Sequence, residues 1–128
     1  LGLFWKFFKF SVVGFSGLFV DFGITFLLKE KLKIPKYVAN GCGFVVAATS
    51  NYFLNRWWTF ESHNPHVEKE FLSFFLISLI GLGINTLIIW ILVSKFKWNF
   101  YLGKLAAIVV TTLWNFVANL LITFSGIL

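Results

Sequence analysis

Residues 51–60 read NYFLNRWWTF, with two Asn, one Arg and two Trp in ten positions. Upstream, back to Tyr37, the chain carries no charge and is mostly apolar. An apolar segment that closes in amides, a guanidinium and paired indoles has the make-up of a helix leaving a hydrocarbon layer. Indoles favour the headgroup region, and Arg can extend its charge from there toward water. A weaker copy, NFVANLLITF, occupies residues 115–124.

The rest of the chain agrees with that solvent. Of 128 residues, 59% are hydrophobic and 12% charged, against roughly 25% charged in a soluble domain. With 18 Phe, 6 Trp and two Pro, too little polar surface remains to cover a water-soluble globule. The net charge of +6 suits basic flanks meeting anionic headgroups. It does not indicate nucleic acid, because the basic residues sit in short loops between apolar runs rather than along one groove. One cysteine, Cys42, excludes an intrachain disulfide. The sequence predicts an all-α integral membrane protein.

Four apolar runs are long enough to cross a bilayer, which takes roughly 20 residues as helix: Phe7–Leu28, Tyr37–Trp58, Phe71–Val93 and Tyr101–Phe124. The first is too long for the apolar stretch of a signal peptide, and it contains Asp21. Sliding the second half back by 64 residues pairs Phe10 with Phe74, Gly17 with Gly81, Lys33 with Lys97 and Tyr37 with Tyr101. Asn51, Asn55 and Thr59 likewise meet Asn115, Asn119 and Thr123, while Asp21 meets Asn85. A single domain over residues 1–128 is therefore expected, with repeat 1 at 7–60 and repeat 2 at 71–124. Each repeat holds an even number of spans, so the four transmembrane helices form two parallel repeats of a helical hairpin.

At about 100° per residue, Ser11, Gly14, Gly17, Asp21 and Thr25 share a face of the first span. Asn40, Gly43, Ala47, Asn51 and Asn55 share one on the second, and Ser78, Gly81 and Asn85 on the third. The fourth presents Lys104, Ala107, Thr111, Asn115 and Asn119. Small residues let membrane helices approach, and amides bond between them. The expectation is a four-helix bundle with a polar seam through Asn40, Asn85, Asn115 and Asn119, open to doubling as a homodimer.

An ionised carboxylate mid-span costs about 2.5–3.5 kcal/mol on insertion scales, so Asp21 needs a partner. Lys104 is the expected one, in a pair that either locks the repeats together or serves a headgroup site. Arg56 reads either as an interfacial anchor or as an anion site, with Asn51 and Asn55 as amide donors and Lys9 adding charge. His63 and His66 lie in a polar loop without a further ligand set, so no metal is expected. No nucleophile constellation, glycine-rich phosphate loop or nucleotide fingerprint points to catalysis or a cofactor.

These residues resemble the GtrA-like family. The resemblance rests on Phe7-Phe8-Lys9-Phe10, Val13-Gly14, Gly17, Val20-Asp21 and Ala39-Asn40, then on Asn51 through Phe60. Lys104, Asn115-Phe116 and Asn119 extend it over nearly the whole chain. It implies a small protein of the bacterial cytoplasmic membrane that moves undecaprenyl-phosphate-linked sugars for cell-surface polysaccharide, O-antigen glucosylation among them. A similar domain forms the membrane part of some polyprenyl-phosphate glycosyltransferases, where it anchors the catalytic domain and can bind the lipid phosphate. Lacking that catalytic domain, this chain is expected to partner a separate membrane glycosyltransferase. Leu120 stands where the first motif has Arg56, so a guanidinium–phosphate contact is asymmetric within the chain.

Two other functions compete: a non-transporting anchor or scaffold, and a small cation or drug exporter. Orientation divides the signals. Lys29, Lys31, Lys33, Lys36, Lys95, Lys97 and Lys104 outnumber Lys6, Lys9, Arg56 and Lys69, which places the hairpin tips in the cytoplasm. The resemblance implies cytoplasmic termini instead, and we adopt the latter.

Overall fold

A computed structural model describes residues 2–126, with the side chains of Lys36, Tyr37 and Tyr101 outside the description. The Tyr37–Tyr101 match therefore lies outside the described side chains. Helix α1 runs Gly2–Phe26 and widens into a final π-helical turn, Leu27–Lys31. Lys33 then takes a left-handed backbone, φ 59°, and Ile34 N–H reaches back to Leu28 C=O at 2.9 Å. That contact uses a carbonyl the helix end would otherwise leave unpaired. Pro35, extended at φ −53° and ψ 140°, starts α2, Lys36–Leu54. Pro supplies this backbone without strain, because its ring already holds φ near that value.

Helix α2 ends like α1, in a π-helical turn over Asn55–Thr59. Glu61 is left-handed, φ 45°, and Ser62 N–H donates to Arg56 C=O at 2.8 Å. In the following loop His66 N–H donates to Asn64 Oδ1 at 2.8 Å, a side-chain turn that Asn favours. Helix α3 spans Val67–Ser94, and α4 runs Phe100–Ala118 before its own wide turn, Asn119–Thr123. Between them Lys97 repeats the φ of 59°, and Trp98 N–H reaches Leu92 C=O at 2.9 Å. The 64-residue register thus carries backbone geometry as well as residue identity.

The described residues contain helix and turn but no strand. The chain divides into two units, Leu1–His63 and Asn64–Leu128, each built on one hairpin. In the first, α1 buries Lys9, Phe10, Val13 and Gly17 against α2, whose buried line is Ala39, Gly43, Ala47, Ala48, Tyr52, Asn55 and Thr59. In the second, α3 buries Glu70, Phe74, Ile77 and Gly81 against Gly103, Ala107, Phe116, Ala118, Asn119 and Thr123. Phe10 meets Phe60 edge-on at 6.2 Å, and Phe74 meets Phe124 at 6.5 Å. The outward faces carry Phe4, Phe15, Phe19, Ile80, Leu105 and Val109, each more than half exposed. Surfaces this apolar suit acyl chains, not water.

Among the described residues, three helical runs are long and apolar enough to cross a membrane: Gly2–Lys31, Val67–Ser94 and Leu102–Thr123. Helix α2 is outside that set. Its middle is built of Asn40, Gly41, Gly43, Ala47, Ala48, Thr49, Ser50 and Asn51, small or polar residues where the other helices place Leu, Ile and Phe. Those same residues permit close helix contact. A methyl group on Gly43 would strike the side chains of Asp21 and Thr25. This is a multi-pass membrane protein.

Candidate functional site at the tryptophan-rich end of the first hairpin

The wide turn at residues 55–59 shapes this end. Phe60 N–H bonds to Asn55 C=O at 2.8 Å, a five-residue reach that opens the turn beyond α-helical width. Inside it, the Thr59 hydroxyl donates to Asn55 Oδ1 at 2.7 Å, and both residues are 1% exposed. Asn55 is thereby committed to its own turn. The side chain of Arg56 is half-buried, with Nη1 3.5 Å from Ser62 Oγ. Trp57 is exposed and Trp58 half-buried.

Lys9 enters from α1. Its ammonium donates to the Trp58 carbonyl at 2.9 Å and lies 5.6 Å from the ring centroids of both Trp5 and Trp58. The side chain is 8% exposed, so a formal charge is held among two indoles and a carbonyl. Negative ring faces and a carbonyl dipole attract a cation, though less than a carboxylate would. Lys9 and the turn bearing Arg56 thus belong to one end of one hairpin.

Deeper in this hairpin, the Asn51 side chain lies over Gly17, where any Cβ would collide with its amide. Asn51 Oδ1 is buried without a conventional hydrogen-bond partner. Asn115 repeats the arrangement over Gly81 in the second hairpin, again with a buried, unpartnered Oδ1. A recurring close approach of an amide oxygen to a glycine is the geometry of a weak Cα–H···O contact, which a side chain on that glycine would block. Farther along, Asp21 Oδ1 accepts from Thr25 Oγ1 at 3.2 Å, and the same hydroxyl is 3.4 Å from Ala39 C=O.

In the second hairpin, Asn119 Oδ1 accepts from Thr123 at 2.8 Å, and its Nδ2 donates to Asn115 C=O at 2.7 Å. Ser73 and Thr123 share a 2.7 Å hydrogen bond, and Trp114 Nε1 donates to Ile77 C=O at 3.1 Å. Lys104 is exposed in the first turns of α4, and Asn85 is half-buried on α3. Asn40 is exposed, next to the buried Ala39. Asp21 belongs to the first hairpin and Lys104 to the second.

Several participants escaped the sequence reading. The indoles around Lys9 were legible only as anchors, since cation and rings are far apart in sequence. Thr59 and Thr123 carried a usable signal, an Asn four residues before each, the spacing of helix neighbours. Glu70, 1% exposed, carried one too, four residues before Phe74 on the buried line of α3. Among the described residues no three His, Cys, Asp or Glu side chains group as metal ligands. His66 Nδ1 and Glu68 Oε1, 3.6 Å apart, are both exposed.

The family described as "GtrA/DPMS, transmembrane domain" matches residues 9–124. The chain is 29% identical over 111 residues to the "Uncharacterized membrane protein YngA" of Bacillus subtilis, covering 87% of this chain and 74% of that protein. It is 34% identical over 85 residues to a "Dolichol-phosphate mannosyltransferase" of Pyrococcus furiosus, covering 66% of this chain and 24% of that protein.

Proposed function

Because the chain belongs to the GtrA/DPMS transmembrane domain family, we propose that it binds a polyprenyl-phosphate-linked sugar and carries its headgroup across the bacterial cytoplasmic membrane. A separate membrane glycosyltransferase makes or uses that lipid, and the product is cell-surface polysaccharide. The observation that carries this reading is the cationic end of the first hairpin. There a buried ammonium, Lys9, bonds to the turn that bears Arg56, among Trp side chains of the kind found at headgroup depth. A phosphate at that depth would receive a guanidinium and an ammonium together. Dolichol phosphate, named in the mannosyltransferase relative, is such a lipid.

In this reading α2 also crosses the bilayer, the hairpins are two copies of one repeat inserted the same way up, and the termini are cytoplasmic. The ligand is undecaprenyl-phosphate glucose or a close analogue. Asn51 and Asn55 support the site through the packing and turn they hold, and a homodimer supplies the surface along which the headgroup moves.

A second reading has its own support. The mannosyltransferase match covers a quarter of that protein, so a related membrane segment there sits within a longer chain. An anchor that presents lipid phosphate to an enzyme needs the same site and no transport. Purified protein in sealed proteoliposomes separates the two. Movement of labelled undecaprenyl-phosphate glucose, lost in Arg56→Ala and Asp21→Asn with helicity kept, supports translocation. Phosphate-dependent binding without movement, weakened in Arg56→Ala, supports the anchor. Neither binding nor movement rejects both.

A further inference from the structure

Lys9 has more positive charge than its surroundings use. An ammonium has three donors, and its hydrogen bond goes to the Trp58 carbonyl. The remaining charge faces the rings of Trp5 and Trp58. The Lys29–Glu30 ion pair does not include Lys9, and neither does the 3.6 Å contact of His66 with Glu68. A cation this buried is costly unless paired. Neutral groups hold it here, and an anionic oxygen would hold it more strongly.

We propose that Lys9 is a caged cation, released onto the phosphate of the ligand. This rests on the lipid-phosphate reading above and adds to it how the site is regulated. With no anion present, Trp5, Trp58 and the Trp58 carbonyl keep the ammonium inside the hairpin. An arriving phosphate draws it out, because a charged oxygen outcompetes a carbonyl dipole and two ring faces. Release also frees the carbonyl of Trp58, two residues from Arg56 in the same wide turn. The guanidinium turn then loses its tether to α1 when it must adjust to the ligand. A zwitterionic headgroup, whose phosphate is already neutralised by its own ammonium, opens the cage poorly. The recognised chemistry is a phosphate oxygen, from a lipid headgroup or from free phosphate.

The test measures binding to the full chain in phosphatidylcholine nanodiscs, using undecaprenyl phosphate and, separately, inorganic phosphate. Lys9→Met should weaken binding by about tenfold or more, the worth of a charged hydrogen bond, and Lys9→Arg should restore most of it. Trp5→Leu decides the matter even if Lys9→Met folds poorly, because Trp5 is half exposed. Removing one wall weakens the hold on the ammonium, so this variant should bind phosphate about two- to fivefold more tightly. Unchanged or weaker binding in Trp5→Leu overturns the cage while leaving the lipid-phosphate reading standing. A wild-type chain that binds neither probe defeats both. If the gain in Trp5→Leu appears with the lipid alone, the cage stands and its ligand is a headgroup. If it appears equally with both probes, the cage stands and recognises the phosphate group itself, whether or not a lipid carries it.

Discussion

Gly43→Ala asks whether α1 and α2 are held by contact between their backbones. A methyl group at position 43 would sit 2.7 Å from the Asp21 carbonyl oxygen. It would also meet the Asp21 carboxylate and the Thr25 hydroxyl. The side chains can turn aside, but the carbonyl is part of α1 and cannot. Restoring ordinary contact distance moves the helices apart by about 0.7 Å, enough to lose a quarter to a half of each van der Waals contact in the gap. Overpacking of this kind costs about 1–3 kcal/mol. Gly41, two residues earlier, has open space at its Cβ, so Gly41→Ala should stabilise α2 by about 0.5–1 kcal/mol through lower chain entropy. Gly43→Ala gains the same entropy, so the two substitutions should differ by the overpacking cost alone, about 1–3 kcal/mol. Unfolding in mixed micelles of rising dodecyl sulfate fraction, followed by far-ultraviolet circular dichroism, measures the difference. If Gly43→Ala unfolds at the same midpoint as Gly41→Ala, or later, the close-contact account of this hairpin is wrong.

The remaining predictions use the same unfolding assay unless another is named. Gly17→Ala and Gly81→Ala push against the amides of Asn51 and Asn115, short side chains that can rotate, so each should cost about 1 kcal/mol, at the low end of overpacking. Gly14→Ala, with nothing near its Cβ, should be neutral or better; equal losses at positions 14 and 17 would refute the amide contact. Thr59→Val and Thr123→Val each strip a donor from a buried Asn oxygen and should cost about 0.6 kcal/mol, the average for side-chain bonds within membranes, and no more than about 1.7 kcal/mol. Thr123→Val should cost more, since Ser73 also loses its partner; the opposite order would contradict the geometry. Cys42 is exposed on α2, about 9 Å along the axis from the helix start at 1.5 Å per residue. If α2 crosses the bilayer, a membrane-impermeant maleimide should leave Cys42 unlabelled in intact vesicles and label it after detergent is added. Labelling from either side without detergent would place α2 outside the hydrocarbon.

Much of this protein was legible in its sequence because lipid narrows the choices. In a bilayer the backbone must satisfy its own hydrogen bonds, so long apolar runs become helices. The 64-residue register marked two hairpins, and small residues at helical spacing marked the faces that meet, Gly17 and Gly43 in one hairpin and Gly81 in the other. The family, too, was readable from one motif and its spacing from Asp21. Helix α2 was harder, since the residues that let it pack closely are those that lower its apolar signal.

What the sequence alone could not decide was the task of each polar group. A phase of 100° per residue places Asn51, Asn55 and Arg56 along the helix, but it assumes the helix stays regular. The π-helical turn at residues 55–59 changes that phase at its end. Tertiary structure there buries Asn55 under Thr59, lays Asn51 over Gly17 and turns the Trp58 carbonyl to Lys9. Residues 49 positions apart met at one depth only once the hairpin closed, and it is this meeting that converts a lysine and two indoles from separate interfacial residues into a caged charge. Periodicity sets which way a side chain faces; only packing sets what stands opposite it.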